Sequence, residues 1–379
     1  MIYMQFRPVK NQFQNKLNED VKKINESEKV FVQADKTRNT YLMTPGAYDK
    51  LLQENITKKY KSANKEVIDE IEEEFDALAE KLDISDRIER TPDKPAFVTL
   101  KDHKENFHDH PQARLINPKK SELGRVSKQM LDRINNDIRN KTKHNQWTNT
   151  FDVIRWFKDL PDKKNLTFIV FDIVDYYPSI SNELLETCLN WAKKYTRISE
   201  VEMETIMHAR RTLLFDNDGK AWAKKEGRKQ FDVSMGAYVG AEICELVGLY
   251  ALSALKNRIN TESLGLYRDD GLATLRRSSG SRADRARKDL IKVFHEMGLK
   301  ITVQTNLKCV DYLDVTLNLN TETYQPYRKP NDNPLYVNRL SNHPLPSSNK
   351  YPSRWSHAHH RSHRTRMRSA MQLPPMMRP

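Results

Sequence analysis

Phe171-Asp172-Ile173-Val174-Asp175-Tyr176-Tyr177-Pro178-Ser179 closes an apolar run that begins at Leu166, and Tyr267-Arg268-Asp269-Asp270-Gly271 closes a second run that begins at Leu264. Short runs rich in β-branched and aromatic side chains read as buried strands. Asp-Gly between two apolar runs is a strong hairpin signal, so Asp270-Gly271 is expected to turn the chain. If the two strands lie side by side, Asp172 meets Asp269 and Asp270 at one sheet edge. Three carboxylates at one point repel each other unless cations hold them together. Oxygen-only ligands suit Mg²⁺, and two such ions about 4 Å apart stabilise both the attacking and the leaving oxygen of a phosphoryl transfer. A lone strand-end Asp is more often a turn former or a helix cap, so the weight rests on the pair.

The two segments resemble motifs A and C of reverse transcriptases. That resemblance implies a metal set of Asp172, Ile173, Asp269 and Asp270 holding two Mg²⁺ ions. Tyr177 matches the steric-gate aromatic, whose ring beneath the sugar leaves no room for a 2′-hydroxyl. Asp175 and Tyr176 match residues whose main-chain amides cradle the incoming triphosphate. Viral RNA-dependent RNA polymerases carry a second Asp four or five residues after the first, whereas Asp175 is three residues after Asp172. Ser234-Met235-Gly236-Ala237-Tyr238-Val239-Gly240-Ala241-Glu242 resembles motif B, in which Gly236 lets the backbone approach the template base. Tyr238, Val239 and Gly240 replace the usual Ser/Pro pattern there. Gly298-Leu299-Lys300 and Asn306-Leu307-Lys308 resemble motif D, whose lysine protonates the pyrophosphate leaving group. Lys308 is the first choice for that general acid and Lys300 the second. Tyr312-Leu313-Asp314-Val315-Thr316-Leu317-Asn318-Leu319 alternates as a strand and resembles the motif E primer grip. Upstream, Thr99-Leu100-Lys101-Asp102-His103-Lys104 and Arg114-Leu115-Ile116-Asn117-Pro118 resemble the fingers, which implies triphosphate binding by Lys101, Lys104 and Arg114.

Within that family, Tyr327-Arg328-Lys329-Pro330, Leu335-Tyr336-Val337 and Ser341-Asn342-His343-Pro344 resemble Penelope-like retroelement proteins. The resemblance implies an RNA-directed DNA polymerase that adds dNMP to a primer 3′-hydroxyl. Its partners would be an RNA template, a DNA primer and dNTP. The alternative is a catalytically impaired, truncated retroelement product that only binds nucleic acid, which the altered motif B favours. The implied fold is α+β: a right-hand polymerase with fingers, a ferredoxin-like palm and a thumb that is truncated or absent. The expected divisions are a partly helical N-terminal extension over 1–95, fingers over 96–150 and palm over 151–320. The start of a thumb is expected over 321–350, and a basic tail without stable fold, read as an out-of-frame translation, over 351–379.

Composition agrees with a polyanionic partner. The chain has 379 residues and a net charge of +13. Six of its 64 basic residues are arginines of the acid-free stretch 351–379, so residues 1–350 carry 58 bases against 51 acids, a net +7. Basic patches at 220–229 and 276–288 flank the proposed site, and contacts from them would be salt-sensitive and blind to sequence. Residues 1–10 lack an apolar signal segment and no run is long enough to span a bilayer. An intracellular location without membrane contact, the nucleus being the expected compartment, follows. Cys188, Cys244 and Cys309 form neither a ligand spacing nor a disulfide framework and read as small buried apolar residues. Apolar spacing predicts helices over 65–83, 241–255 and 282–297, the last ending at Gly298, and a strand at Val30-Phe31-Val32.

Overall fold

The structure is a computed structural model, and it describes residues 12–35, 37, 39–87, 94–104, 106, 107, 109–118, 121–211, 213–225, 232, 233, 235–276 and 280–327. The Penelope-like stretch beyond Tyr327, the expected thumb and the basic tail lie outside the described residues.

The centre is a five-stranded sheet whose order is Ile301–Leu307, Leu166–Ile173, Asp270–Arg276, Ser263–Tyr267 and Asn145–Gln146. The first four strands are antiparallel to their neighbours, and the two-residue fifth strand pairs parallel. Numbered along the chain, the four long strands run 4-1-3-2, the split βαβ order of a ferredoxin-like palm. The expected α+β palm is therefore present. Asn145–Gln146 is the strand that sequence periodicity misses, because two residues carry no alternation.

Alternation along Leu166–Ile173 gives the sheet two apolar faces. Ile169, Phe171 and Ile173 point into the larger core, with Leu131, Leu185, Leu246 and Phe294 from four helices. Those helices are Glu122–Thr142, Asn182–Ala192, Gly240–Arg258 and Gly280–Glu296. Leu166 and Phe168 point the other way, against Val153 and Phe157 of helix Thr150–Asp159 and against Val310 and Leu317. Asp172 continues this second series at the strand's open end. Both long predicted helices in this part form. Gly280–Glu296 stops where Gly298 takes φ +73°, with Leu299 N–H donating to Phe294 O and Gly298 N–H to His295 O, both at 2.9 Å. That pairing is a Schellman motif.

The N-terminal segment is built into the fingers rather than appended to them. Helix Lys65–Lys81 buries Ile71, Leu78 and Ala79 on one face as its spacing predicts, with Asn64 capping Val67 N–H. Val30–Gln33 pairs with Thr40–Met43, and this hairpin bridges through Ala34 to Leu100 of the fingers hairpin Phe97–Leu100 and Ala113–Ile116. Tyr60–Ser62 pairs with Ala221–Lys224, which in turn pairs with Leu214–Phe215. Boundaries at 95 and 150 therefore do not follow the packing. Residues 52–60, 96–98 and 214–222 share a small core containing Leu52, Ile56, Val98, Leu214 and Trp222. Composition alone cannot reveal strands paired across 160 residues, which is why the linear division fails.

Cys188 and Cys244 are buried, as expected, but Cys309 is exposed because it opens a hairpin on the alternation's outward side. Among the described residues no helix is long and apolar enough to cross a membrane.

Candidate active site

Asp172 and Asp270 are direct cross-strand partners. Ile173 N–H donates to Asp269 O at 3.0 Å, so hydrogen bonds flank the Asp172–Asp270 pair rather than join it. That is the narrow kind of antiparallel pair, with Cα atoms about 4.5 Å apart and side chains on the same face. Asp269 sits in the adjoining turn. The turn itself differs from expectation: Tyr267 pairs with Asp270, so Arg268 and Asp269 form the loop and Asp270-Gly271 opens the return strand. Arg268 supplies the left-handed residue with φ 52°. Gly271 is needed for a different reason. It lies opposite Phe171, and a Cβ there would stand 2.0 Å from the ring.

Past Ile173 the chain turns sharply at Asp175, φ 49°, into the short helix Tyr176–Ser179. Tyr176 is buried, and its hydroxyl donates to Cys244 O at 2.7 Å on helix Gly240–Arg258. Tyr177 is half-buried beside it, its ring edge-on to Tyr176 at 6.4 Å between centroids. Burial pushes the Tyr177 phenol up to about 12, opposed by the neighbouring Arg268 guanidinium.

Of the fingers residues, Lys101 interacts electrostatically with Asp175 of this turn. Burial, then Arg114, lower the Lys101 ammonium's pKa, with Lys104 acting in the same sense; Asp175 and Asp35 oppose them. Lys101, Lys104, Arg114 and Asp175 thus share one electrostatic neighbourhood. Lys59 adds a cation there that the sequence did not single out, its Nζ standing 3.7 Å from Asp175 Oδ2. Arg114 is not a solvated basic residue: it pairs with Asp35 at 2.7 Å. The Lys101–Lys104 turn is held by Asp102, which accepts from Thr37, from Asn39 at 2.9 Å and from Tyr41 at 3.0 Å. Burial raises the Asp102 carboxyl, but those three donors bring it below its ordinary range.

Gly236 requires its glycine. It has φ +97°, and a Cβ would meet Asn117 O at 2.7 Å. The backbone approach predicted there is made to the fingers, with Asn117 N–H donating to Met235 O at 3.0 Å.

Two further expectations need correction. Lys308 Nζ donates to Lys164 O at 2.8 Å and to Leu166 O at 2.6 Å. Leu166 is six residues from Asp172 on the same extended strand, a span of about 20 Å at ~3.3 Å per residue. Lys308 is therefore at the wrong end of the sheet for a general acid. Lys300 is at the right end: its carbonyl accepts from Val174 N–H at 2.8 Å, and its side chain is exposed. The expected motif E strand is instead a hairpin, Cys309–Tyr312 with Val315–Asn318, turned at Leu313 with φ 54°. Its Tyr312 hydroxyl donates to Asp270 O at 2.5 Å, a contact to the carboxylate turn that alternation could not show.

No family profile matches the chain, and no curated protein does. Solved structures do. Apo telomerase from Candida tropicalis superposes with a TM-score of 0.57 at 12% identity, over 83% of this chain and 60% of that one. The chain has a telomerase-like fingers-and-palm fold. A form of the same enzyme truncated from the C-terminal domain gives 0.54 at 14% identity, over 81% and 65%. Telomerase from Candida albicans in complex with a TWJ fragment of telomeric RNA gives 0.54 at 10%, over 82% and 56%. The chain thus spans less than two thirds of these structures' lengths. Identities this low speak for the fold alone.

Among the described residues no three His, Cys, Asp or Glu side chains converge closely enough to enclose an ion. Asp172 and Asp270 lie side by side with Asp269 in the adjoining turn, an open, oxygen-only set. Such a set fits a hard cation that keeps waters and substrate oxygens in its shell, as Mg²⁺ does.

Proposed function

We propose that this chain is a retroelement reverse transcriptase of Penelope-like type, extending a DNA primer on an RNA template with dNTP. The observation that carries this reading is the Asp172–Asp270 pair, with Asp269 in the adjoining turn, at the open end of a ferredoxin-like palm. Bound Mg²⁺ would neutralise charge at the attacking and leaving oxygens. Asp172, Asp269 and Asp270 would hold it, Lys101, Lys104 and Arg114 would orient the triphosphate, and Tyr177 would exclude ribonucleotides. Catalysis of this kind is positioning and charge neutralisation, without a covalent intermediate.

Primer extension with Mg²⁺, beside an Asp269→Asn control, tests the reading. Extension that survives the control removes the metal assignment, and hybrid binding without extension favours the alternative of a binding-only product. Tyr177→Ala should raise ribonucleotide use relative to deoxynucleotide use by roughly tenfold or more, since the barrier is steric. Incorporation ratios from single-nucleotide extension check this, and an unchanged ratio means that Tyr177 is not the gate.

The two lysines separate in the same assay. Lys300→Ala should slow extension by about 10²-fold, the lower end for loss of a general acid. Lys308→Ala should leave the rate within about threefold, because its ammonium caps carbonyls some 20 Å from the carboxylates. Equal losses in both variants would return the general-acid role to Lys308.

A further inference from the structure

The sugar gate is held by the turn that carries the carboxylates. Arg268 Nη1 donates to the Tyr177 hydroxyl at 2.9 Å, linking residues 91 apart in sequence. Arg268 occupies the left-handed position of the Tyr267–Asp270 hairpin loop, so the turn's backbone fixes where its guanidinium begins. On the other side, Tyr176 is anchored to Cys244 O and packs edge-on against Tyr177. The Tyr177 ring is therefore fixed by a neighbour at its base and by a charge-assisted hydrogen bond at its tip.

From this geometry we infer that Arg268 is a positioning residue for sugar selection, acting through the Tyr177 hydroxyl rather than on the nucleotide. A tyrosine ring has two side-chain torsions, and the bond at its far end removes the freedom that would let it tilt from beneath the sugar. Without the bond the ring remains and still blocks, but less completely. The gate would thus be coupled to the hairpin tip: a shift of the Asp269 turn also moves the tip of Tyr177. This rests on the polymerase reading and adds a specificity determinant to it.

The coupling has a direct test. Tyr177→Phe keeps the ring and removes the acceptor, and Arg268→Met keeps the bulk of the stem and removes the donor. Each variant, scored against its own dNTP rate, should lower discrimination against ribonucleotides on the order of tenfold, the worth of one charge-assisted bond. The double variant should lose no more than either single one, because both remove the same interaction. Arg268→Lys should restore part of the loss. Additive losses, or an Arg268→Met effect that persists undiminished in the Tyr177→Phe background, would mean that Arg268 acts directly on substrate, and the inference falls. Extension that depends on Asp269 but keeps its full selectivity in both single variants overturns this inference and leaves the polymerase reading intact. A wild-type chain that extends no primer removes both.

Discussion

Asp172→Asn is expected to slow primer extension by roughly 10³-fold or more while leaving the fold intact. Loss of a metal-binding carboxylate removes several kcal/mol of transition-state stabilisation, and each 1.36 kcal/mol is tenfold in rate. Asp172 and Asp270 are directly opposite in a narrow cross-strand pair, so one ion can draw on both carboxylates. Mg²⁺ should raise the wild-type melting temperature, since an ion that binds only the folded state stabilises it by mass action. That rise should shrink in Asp172→Asn. The melting readout needs no nucleic acid and no turnover. A variant that melts lower than wild type and responds equally to Mg²⁺ would show that Asp172 is a structural residue.

Gly271→Ala should carry a large stability cost. An alanine Cβ would stand 2.0 to 2.5 Å from three atoms of the Phe171 ring. Phe171 is 1% exposed and packs on Phe294 at 5.5 Å between ring centroids, so the ring has nowhere to go. Overpacking of this kind costs about 1–3 kcal/mol and sometimes more. For a chain of this size that lowers the melting temperature by roughly 2–12 °C, taking about 2–4 °C per kcal/mol. Phe171→Leu in the same chain should recover part of the loss, since the two side chains compete for one space. Gly46→Ala is the contrast. Gly46 lies in the first turn of helix Pro45–Lys59 with nothing within 4 Å of a Cβ. It should be neutral or slightly stabilising. Equal melting temperatures for Gly271→Ala and Gly46→Ala would contradict the strand pairing.

Two of the glycines that the sequence singled out illustrate how much was legible. Asp270-Gly271 reads as a turn because that dipeptide most often makes one. The chain instead uses Gly271 so that a phenylalanine from the neighbouring strand can lie across it. Gly236 reads as a glycine approaching a template base, and in the fold a Cβ there would meet the Asn117 carbonyl and the Ile116 side chain. In both cases the residue type reports that space is short, and only the tertiary contact says what fills it. Lys308 was misplaced for a related reason. Motif order gives sequence distance from Asp172, whereas a strand runs in a direction, and Leu307 pairs with Phe168 at the end away from the carboxylates. Arg268 and Tyr312 lay inside quoted segments without a role, because a hydrogen bond to a remote side chain or carbonyl leaves no periodic signal.

The sequence by itself determined the long helices behind the site, the strand that ends in Asp172 and the residue types at two strand ends. Apolar periodicity is a local property, set by which face of one helix or strand is buried. The tertiary structure alone decided that Asp172 lies against Asp270, that residues 30–62 complete the fingers, and that Arg268 reaches Tyr177. These depend on register between strands far apart in the chain, and a shift of one residue would turn every side chain to the opposite face.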